Sequence, residues 1–424
     1  MPSCSFRKTA NRSCSKMTNF PQDRQGRPEQ ARLWTKNFVV LSTVNFFVTL
    51  IFFLLNATIA LYAMREFQAS SGQTGLIAGI FIIGSLTGRL WVGRLAPSKT
   101  KLLLALLLFA LTTLLYFVQL GIGFLVLSRF LNGVTLGVIS TVVSTIVVLS
   151  LPASRKGEGI SYFAVSTALA TGLGPFIGLY MIQHTSFGAI FVFCLALGLV
   201  NLLIAFPLAV PAFPASLPQP GSRFKLSNFI EPRALPISIH IFVMTFCFSA
   251  IVSYLNLYAI ELDLVDTAGF FFMVYTVFVL VSRPFTGKLI DKKGANLIMY
   301  PAFVLFGAGM ILLGSAWESV GLLAAAALIA LGFGNLSSVS QTAAVQSVEP
   351  GRVGLATATF FLFFDLGNGF GPALIGLLIP LTGYRGLYVL LGGIIWASIL
   401  LYYFLYGKKE SRVRKLEAAT RKNG

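Results

Sequence analysis

RLWVGRLAPSKTK, residues 89–101, and RPFTGKLIDKKGAN, residues 283–296, decide how this chain is read. Each closes a long apolar run with an Arg, a Gly four residues later, a base, a Leu and a basic loop. Arg89, Gly93, Arg94 and Leu95 stand in register with Arg283, Gly287, Lys288 and Leu289, at an offset of 194 residues. The register extends upstream, where Gly75 falls on Gly269 and Phe81 on Tyr275. A self-match at a fixed offset fixes an architecture before any local detail does. Here it divides the chain into two related halves.

Composition says what medium the halves occupy. The 424 residues are 56% hydrophobic and only 11% charged, with mean hydropathy +0.82. A soluble domain carries about 25% charged residues, so this chain lacks the polar surface to cover its apolar mass. The 40 glycines and 39 phenylalanines suit a polytopic membrane protein, in which Gly admits close helix approach. The net charge of +18 does not point to nucleic acid, because the bases sit in loops and tails between apolar runs. Cys4, Cys14, Cys194 and Cys247 have no metal-ligand spacing and no expected disulfide. No nucleophile–base pair, metal cluster or nucleotide-binding loop is visible, so neither an enzyme nor an ATP-driven motor is expected, and no cofactor.

A spanning helix needs about 20 apolar residues. Twelve runs qualify: 37–64, 75–95, 102–120, 122–150, 160–182, 187–210, 235–260, 267–290, 296–315, 320–347, 353–380 and 384–406. The expected fold is an all-α membrane protein of twelve transmembrane helices in two six-helix pseudo-symmetric bundles. Its parts are a disordered basic tail (1–36), a first bundle (37–210), a Pro-rich linker (211–234), a second bundle (235–406) and a basic tail (407–424). Two homologous halves of this kind point to a transporter built from parallel repeats. Of the 32 Lys and Arg residues, 29 fall on one side of these spans. Arg65 and Arg385 fall on the other, and Arg129 lies inside a run. The positive-inside rule then puts both termini in the cytoplasm of a cell-membrane protein.

The motifs resemble those of the major facilitator superfamily over nearly the whole chain. That superfamily carries Gly-x-Leu-x-Asp-Arg-x-Gly-Arg-Lys between helices 2 and 3. The second copy here keeps Gly287, Leu289, Asp291, Lys292 and Gly294, whereas the first keeps Gly93 and Leu95 but has Pro97 in place of the acid. The resemblance implies an inner gate latch involving Arg89, Gly93, Arg283, Gly287 and Asp291, weaker or differently made in the first half. ALATGLGPFIG (168–178) in run 5 is echoed by DLGNGFGPALIG (365–376) in run 11. Gly174–Pro175 and Gly371–Pro372 predict bent, closely packed hinges. In run 5 such a motif resembles the signature of the antiporter branches and favours export.

LVLSRFLNG (125–133) resembles the superfamily's helix 4 pattern through Arg129 and Gly133. A charged group in a span faces the bundle interior and is functional by default. Asp365 reads as the single acid at mid-span. A carboxylate at that depth can take up and release a proton, so Asp365 and Arg129 are the expected proton-coupling residues, with Glu66 and His240 as weaker candidates. His240 is expected to cap or hydrogen-bond. Helices 1, 4, 7 and 10 line the cavity in that superfamily. Their polar side chains (Asn45, Thr49, Asn56, Tyr254, Tyr258, Asn335 and Gln341) are the expected solute contacts, suited to a weakly polar or amphipathic molecule. The expected function is proton-coupled export of such a molecule by a monomer in the bilayer. An importer of a nutrient or organic anion, or a non-transporting sensor, is the alternative.

Overall fold

The computed structural model describes residues 32–93, 95–210 and 229–412. The expected tails and linker therefore lie outside the described residues over 1–31, 211–228 and 413–424. Among the described residues are twelve helices long and apolar enough to cross a membrane, and no strand. In hydrocarbon every backbone polar group must be satisfied internally, and a helix does this within one segment. The first six are α1 Lys36–Phe67, α2 Ser71–Val92, α3 Lys99–Leu114, α4 Ile122–Ser150, α5 Lys156–His184 and α6 Phe187–Ala205. The second six are α7 Leu235–Glu261, α8 Val265–Lys293, α9 Asn296–Ser315, α10 Ser319–Gln346, α11 Val353–Gly376 and α12 Ile379–Tyr402. Starts are capped by short polar side chains: Thr35, Ser98 and Ser186 each accept from a backbone N–H, and Ser70 forms a capping box with Gln73. A π turn at Ala330–Gly334 interrupts α10 midway.

The buried apolar residues form two cores, one in α1–α6 and one in α7–α12. Ala168 of α5 joins the second core, and Val345 and Val353 join the first. Those exceptions mark where the bundles meet. With no hydrophobic drive between helices in lipid, contact depends on small residues. The α2–α4 seam shows it: a Cβ added at Gly84, Gly88, Gly133 or Gly137 would lie 2.2 Å from a carbonyl oxygen of the facing helix. The two Gly-Pro motifs do the same for α1–α5 and α7–α11. Gly174 abuts Phe53 and Leu54, and Gly371 abuts Ser249. The Pro372 carbonyl accepts from the Tyr254 hydroxyl.

Residues 95–98, 151–155, 293–295 and 347–352 connect the helices at one end, the basic end. There the structure departs from the expected outline in one place. The stretch 407–412, assigned to a tail, continues α12 beyond a π turn at Tyr403–Gly407. The Glu410 carboxylate accepts from the N–H groups of Ala295 and Asn296, capping α9. The last residues of the linker are docked as well: Glu231, 1% exposed, pairs with Arg352 and its N–H donates to Thr359.

Candidate functional site

The two bundles meet along two seams, α2 with α11 and α5 with α8, and the seams repeat each other residue for residue. On α2, Ile82 faces Gly369 and Gly93 faces Ala358, with Arg89 between. On α8, Thr276 faces Gly172 and Gly287 faces Ser161, with Arg283 between. Steps of seven and four keep the three residues of each set on one helical face. Gly93 is tight enough that an added Cβ would sit 2.5 Å from the Ala358 Cβ.

Charge enters the first seam as a buried ion pair. Arg89 Nε donates to Asp365 Oδ2 at 2.8 Å, and Ser85 Oγ donates to the same oxygen at 2.8 Å. Arg89 Nη1 donates to Ser140 and Thr141 of α4, and the guanidinium carbon lies 4.8 Å from the centre of the Phe361 ring. The side chains are 5% and 19% exposed. This corrects the expectation that Arg89 is a loop base and Arg129 the single base inside a span. Both Arg89 and Arg283 lie within helices, 4% and 3% exposed. The signal was available, since each sits one turn before its motif Gly at the end of an apolar run.

The second seam is closed by a different carboxylate. Asp291 accepts from the N–H groups of Gly157 and Glu158 at 2.7 and 2.9 Å, at the first turn of α5. An anion is stabilised there by unpaired amides and the helix dipole. Glu158 in turn pairs with Arg155, and Lys288 lies 4.0 Å from it. Asp291 is thus joined to α5 and not to Arg283. At the corresponding place in the first seam, Pro97, Gly93, Thr145, Gly351 and Gly354 line a small crevice. Gln341 of α10 donates to Ser144 of α4 at 2.8 Å, and residues 141–148 and 338–345 are buried throughout. The basic end is sealed.

Arg129 is fully buried at the other end of α4. Nη2 lies 3.4 Å from Asn56 Oδ1, Nε lies 3.5 Å from the Ile77 carbonyl, and the guanidinium covers Phe81 at 4.4 Å. It does not meet Asp365. Asn56 is an exposed side chain and Thr49 a half-buried one. The other expected solute contacts are committed within the fold. Asn45 donates to Ser166 and Thr167 of α5, and Asn335 accepts from Ser282 and Thr286. Gln341 is bonded to Ser144 in the buried stretch at the basic end. The Tyr258 hydroxyl donates to the Leu313 and Gly314 carbonyls of α9. His240 is a correction, since neither ring nitrogen has a hydrogen-bond partner and the ring packs edge-on against Phe303.

A paired-bundle membrane protein with charged side chains buried in its interface has the architecture of a secondary transporter. The Major Facilitator Superfamily family model matches residues 41–334 and 265–423, and the chain belongs to that superfamily. It is similar to the staphylopine export protein of Staphylococcus aureus, 21% identical across 84% of this chain and 94% of that one. It is also similar to multidrug resistance protein 2 of Bacillus subtilis, 27% identical across 75% of this chain and 83% of that one. Among solved structures it resembles the human organic anion transporter MFSD10, with a TM-score of 0.71 and 17% identity over 87% of this chain and 99% of that one. The transporter FucP in its outward conformation gives a TM-score of 0.68 and 14% identity over 88% and 99%.

Proposed function

We propose that this transporter is a proton-coupled exporter of a small amphipathic molecule, with the Arg89–Asp365 pair as its coupling element. The observation that carries the proposal is the pair itself: a carboxylate at mid-depth, held by a base of the opposite bundle, on the seam that seals the basic end. The basic end faces the cytoplasm, on the positive-inside rule. In the basic-end-closed state Asp365 is ionised and ties α11 to α2. A proton arriving from the opposite end neutralises it, Arg89 loses its counter-charge, and the seam can part toward the cytoplasm. Loss of the proton there, with solute loaded, re-forms the pair and returns the solute outward. Opposed movement of proton and solute follows because one carboxylate controls one gate. The likeness to an export protein and a multidrug resistance protein supports the outward direction, as does the Gly174–Pro175 hinge in α5.

The test is transport by Asp365→Asn in proteoliposomes at matched protein amounts. Asn mimics the protonated carboxylate permanently. Solute exchange down its own gradient is expected to continue while proton-driven extrusion stops. Undiminished proton-driven extrusion would remove Asp365 from the coupling role.

A further inference from the structure

Arg283 is the mate of Arg89 under the internal repeat, and it has no mate of its own. It is 3% exposed, and its Nε and Nη1 are buried without a hydrogen-bond partner. No carboxylate among the described residues forms an ion pair with it. A buried guanidinium left so is expensive, because desolvation is not repaid.

The repeat says what is missing. Residues of α2 map onto α8 at an offset of 194, and residues of α5 map onto α11 at an offset of 197, aligning Gly172–Gly174–Pro175 with Gly369–Gly371–Pro372. The structure keeps both registers, since Gly369 faces Ile82 as Gly172 faces Thr276, and Gly93 faces Ala358 as Gly287 faces Ser161. On that register the two side chains of α11 that meet Arg89, Phe361 and Asp365, correspond to Ala164 and Ala168. The Thr276 hydroxyl donates to the Ala168 carbonyl at 3.4 Å, which fixes that turn of α5 against α8. Opposite Arg283, therefore, an aromatic ring and a carboxylate have both become methyl groups. The charge that calls for an anion is retained, and the anion and the bulk beside it are absent.

We infer that Arg283 is the anchor for an anionic group on the transported solute, so that the substrate class is an amphipathic organic acid. The solute's carboxylate takes, at the α5–α8 seam, the place that Asp365 holds at the α2–α11 seam, with its apolar part on the Ala164 side of Arg283. Guanidinium suits this role because it stays charged and offers a planar fork to a carboxylate. The inference rests on the transport reading above but not on proton coupling.

The experiment is equilibrium binding without a gradient, so failure of the coupling proposal leaves it untouched. The purified full chain in nanodiscs of neutral phosphatidylcholine is melted with 4-phenylbutyrate, with the neutral 4-phenylbutanamide, and with sodium chloride at equal ionic strength. The carboxylate is expected to raise the midpoint and the amide and chloride are not. Arg283→Gln should weaken the carboxylate's apparent affinity roughly 10- to 100-fold, the loss of at least one charge-assisted hydrogen bond. Ala168→Asp builds the missing acid into the chain. That variant should melt no lower than the parent and ignore the carboxylate, and its tolerance should vanish when Arg283→Gln is added. Equal stabilisation by amide and carboxylate, or by chloride alone, would overturn the inference. So would an Ala168→Asp cost that is the same with and without Arg283, even if binding could not be measured.

Discussion

Replacing Asp365 by Asn should shift the basic-end gate even with no solute and no gradient, and the size of the shift can be worked from the contacts. Asp365 Oδ2 receives two hydrogen bonds, from Arg89 Nε and Ser85 Oγ, each 2.8 Å long. Removing one member of a buried ion pair outright costs about 3–5 kcal/mol. Asn leaves an acceptor oxygen for both donors, so each bond falls from the charged range, about 1.5–3 kcal/mol, to the neutral one, about 0.5–1.5, a loss of about 2–3 kcal/mol for the two. Asp365 is 19% exposed, and screening argues for the lower half of that range, about 2 kcal/mol. If that energy holds the closed state alone, the open fraction rises by ~30-fold. Thr145 reports on it. The residue is 2% exposed, and its side chain lies near Gly354 where α4 meets α11. Thr145→Cys, in a chain whose native cysteines have been replaced, is alkylated by a polar maleimide only when the gate parts. The Asp365→Asn background should speed alkylation by roughly the same ~30-fold while the folded, monodisperse fraction is preserved. Unchanged alkylation in a well-folded variant would refute the claim that this pair holds the gate. Unchanged alkylation with a reduced folded fraction would make Asp365 a structural residue of α11.

Two further outcomes test the rest of the seal and its orientation. Asp291→Asn weakens two amide contacts at the first turn of α5. It should raise alkylation at the α5–α8 seam by about tenfold, from about 1–2 kcal/mol, without loss of folded protein; parental alkylation would leave 288–293 as a topology signal only. A reporter active only in the cytoplasm, fused after Gly424, should give signal, and signal instead from an exported reporter would reverse the assignment of the basic end.

The helices were legible because their cause is local. Twelve apolar runs give twelve helices, and their edges move by only a few residues, mostly where a polar cap or a basic last turn extends the helix beyond the apolar stretch. The repeat was equally plain in Gly93 and Gly287. Pairing was not legible, since the partner of Arg89 depends on which helices abut. Asp365 lies 276 residues away, and nothing in its neighbourhood names α2. Arg89 lies inside the apolar run 75–95, yet a base beside a basic stretch reads as part of the loop that follows; the structure keeps it in α2, which continues to Val92. Tyr258 and Asn335 sit on helices expected to line a cavity, but helix identity does not set the face a side chain presents. Their hydroxyl and amide groups went to neighbouring backbone and side chains, as polar groups within a bilayer usually do. The unpartnered state of His240 has no sequence signature at all.

The departures from symmetry are themselves ordered. Each seam has two positions for a carboxylate, one at the basic end and one at mid-depth. The α5–α8 seam fills the basic-end position with Asp291, in the last turn of α8, and leaves mid-depth to Ala168; the α2–α11 seam fills mid-depth with Asp365 and has Pro97 at the basic end. The two acids hold the gate by different means. Asp291 is held by backbone amides near the basic surface, where a proton from the opposite end does not reach it without passing the sealed stretch of α4 and α10. Asp365 is held by a guanidinium that also bonds Ser140 and Thr141, at the edge of that stretch farther from the basic surface. On the proposed coupling, a gate with both acids at mid-depth would open only on double protonation, and one with both at the basic end would not sense the opposite end at all. On the proposed mechanism, dividing them between seams would let one proton release one seam while the other remained a passive clasp, with Arg283 left to the solute's charge.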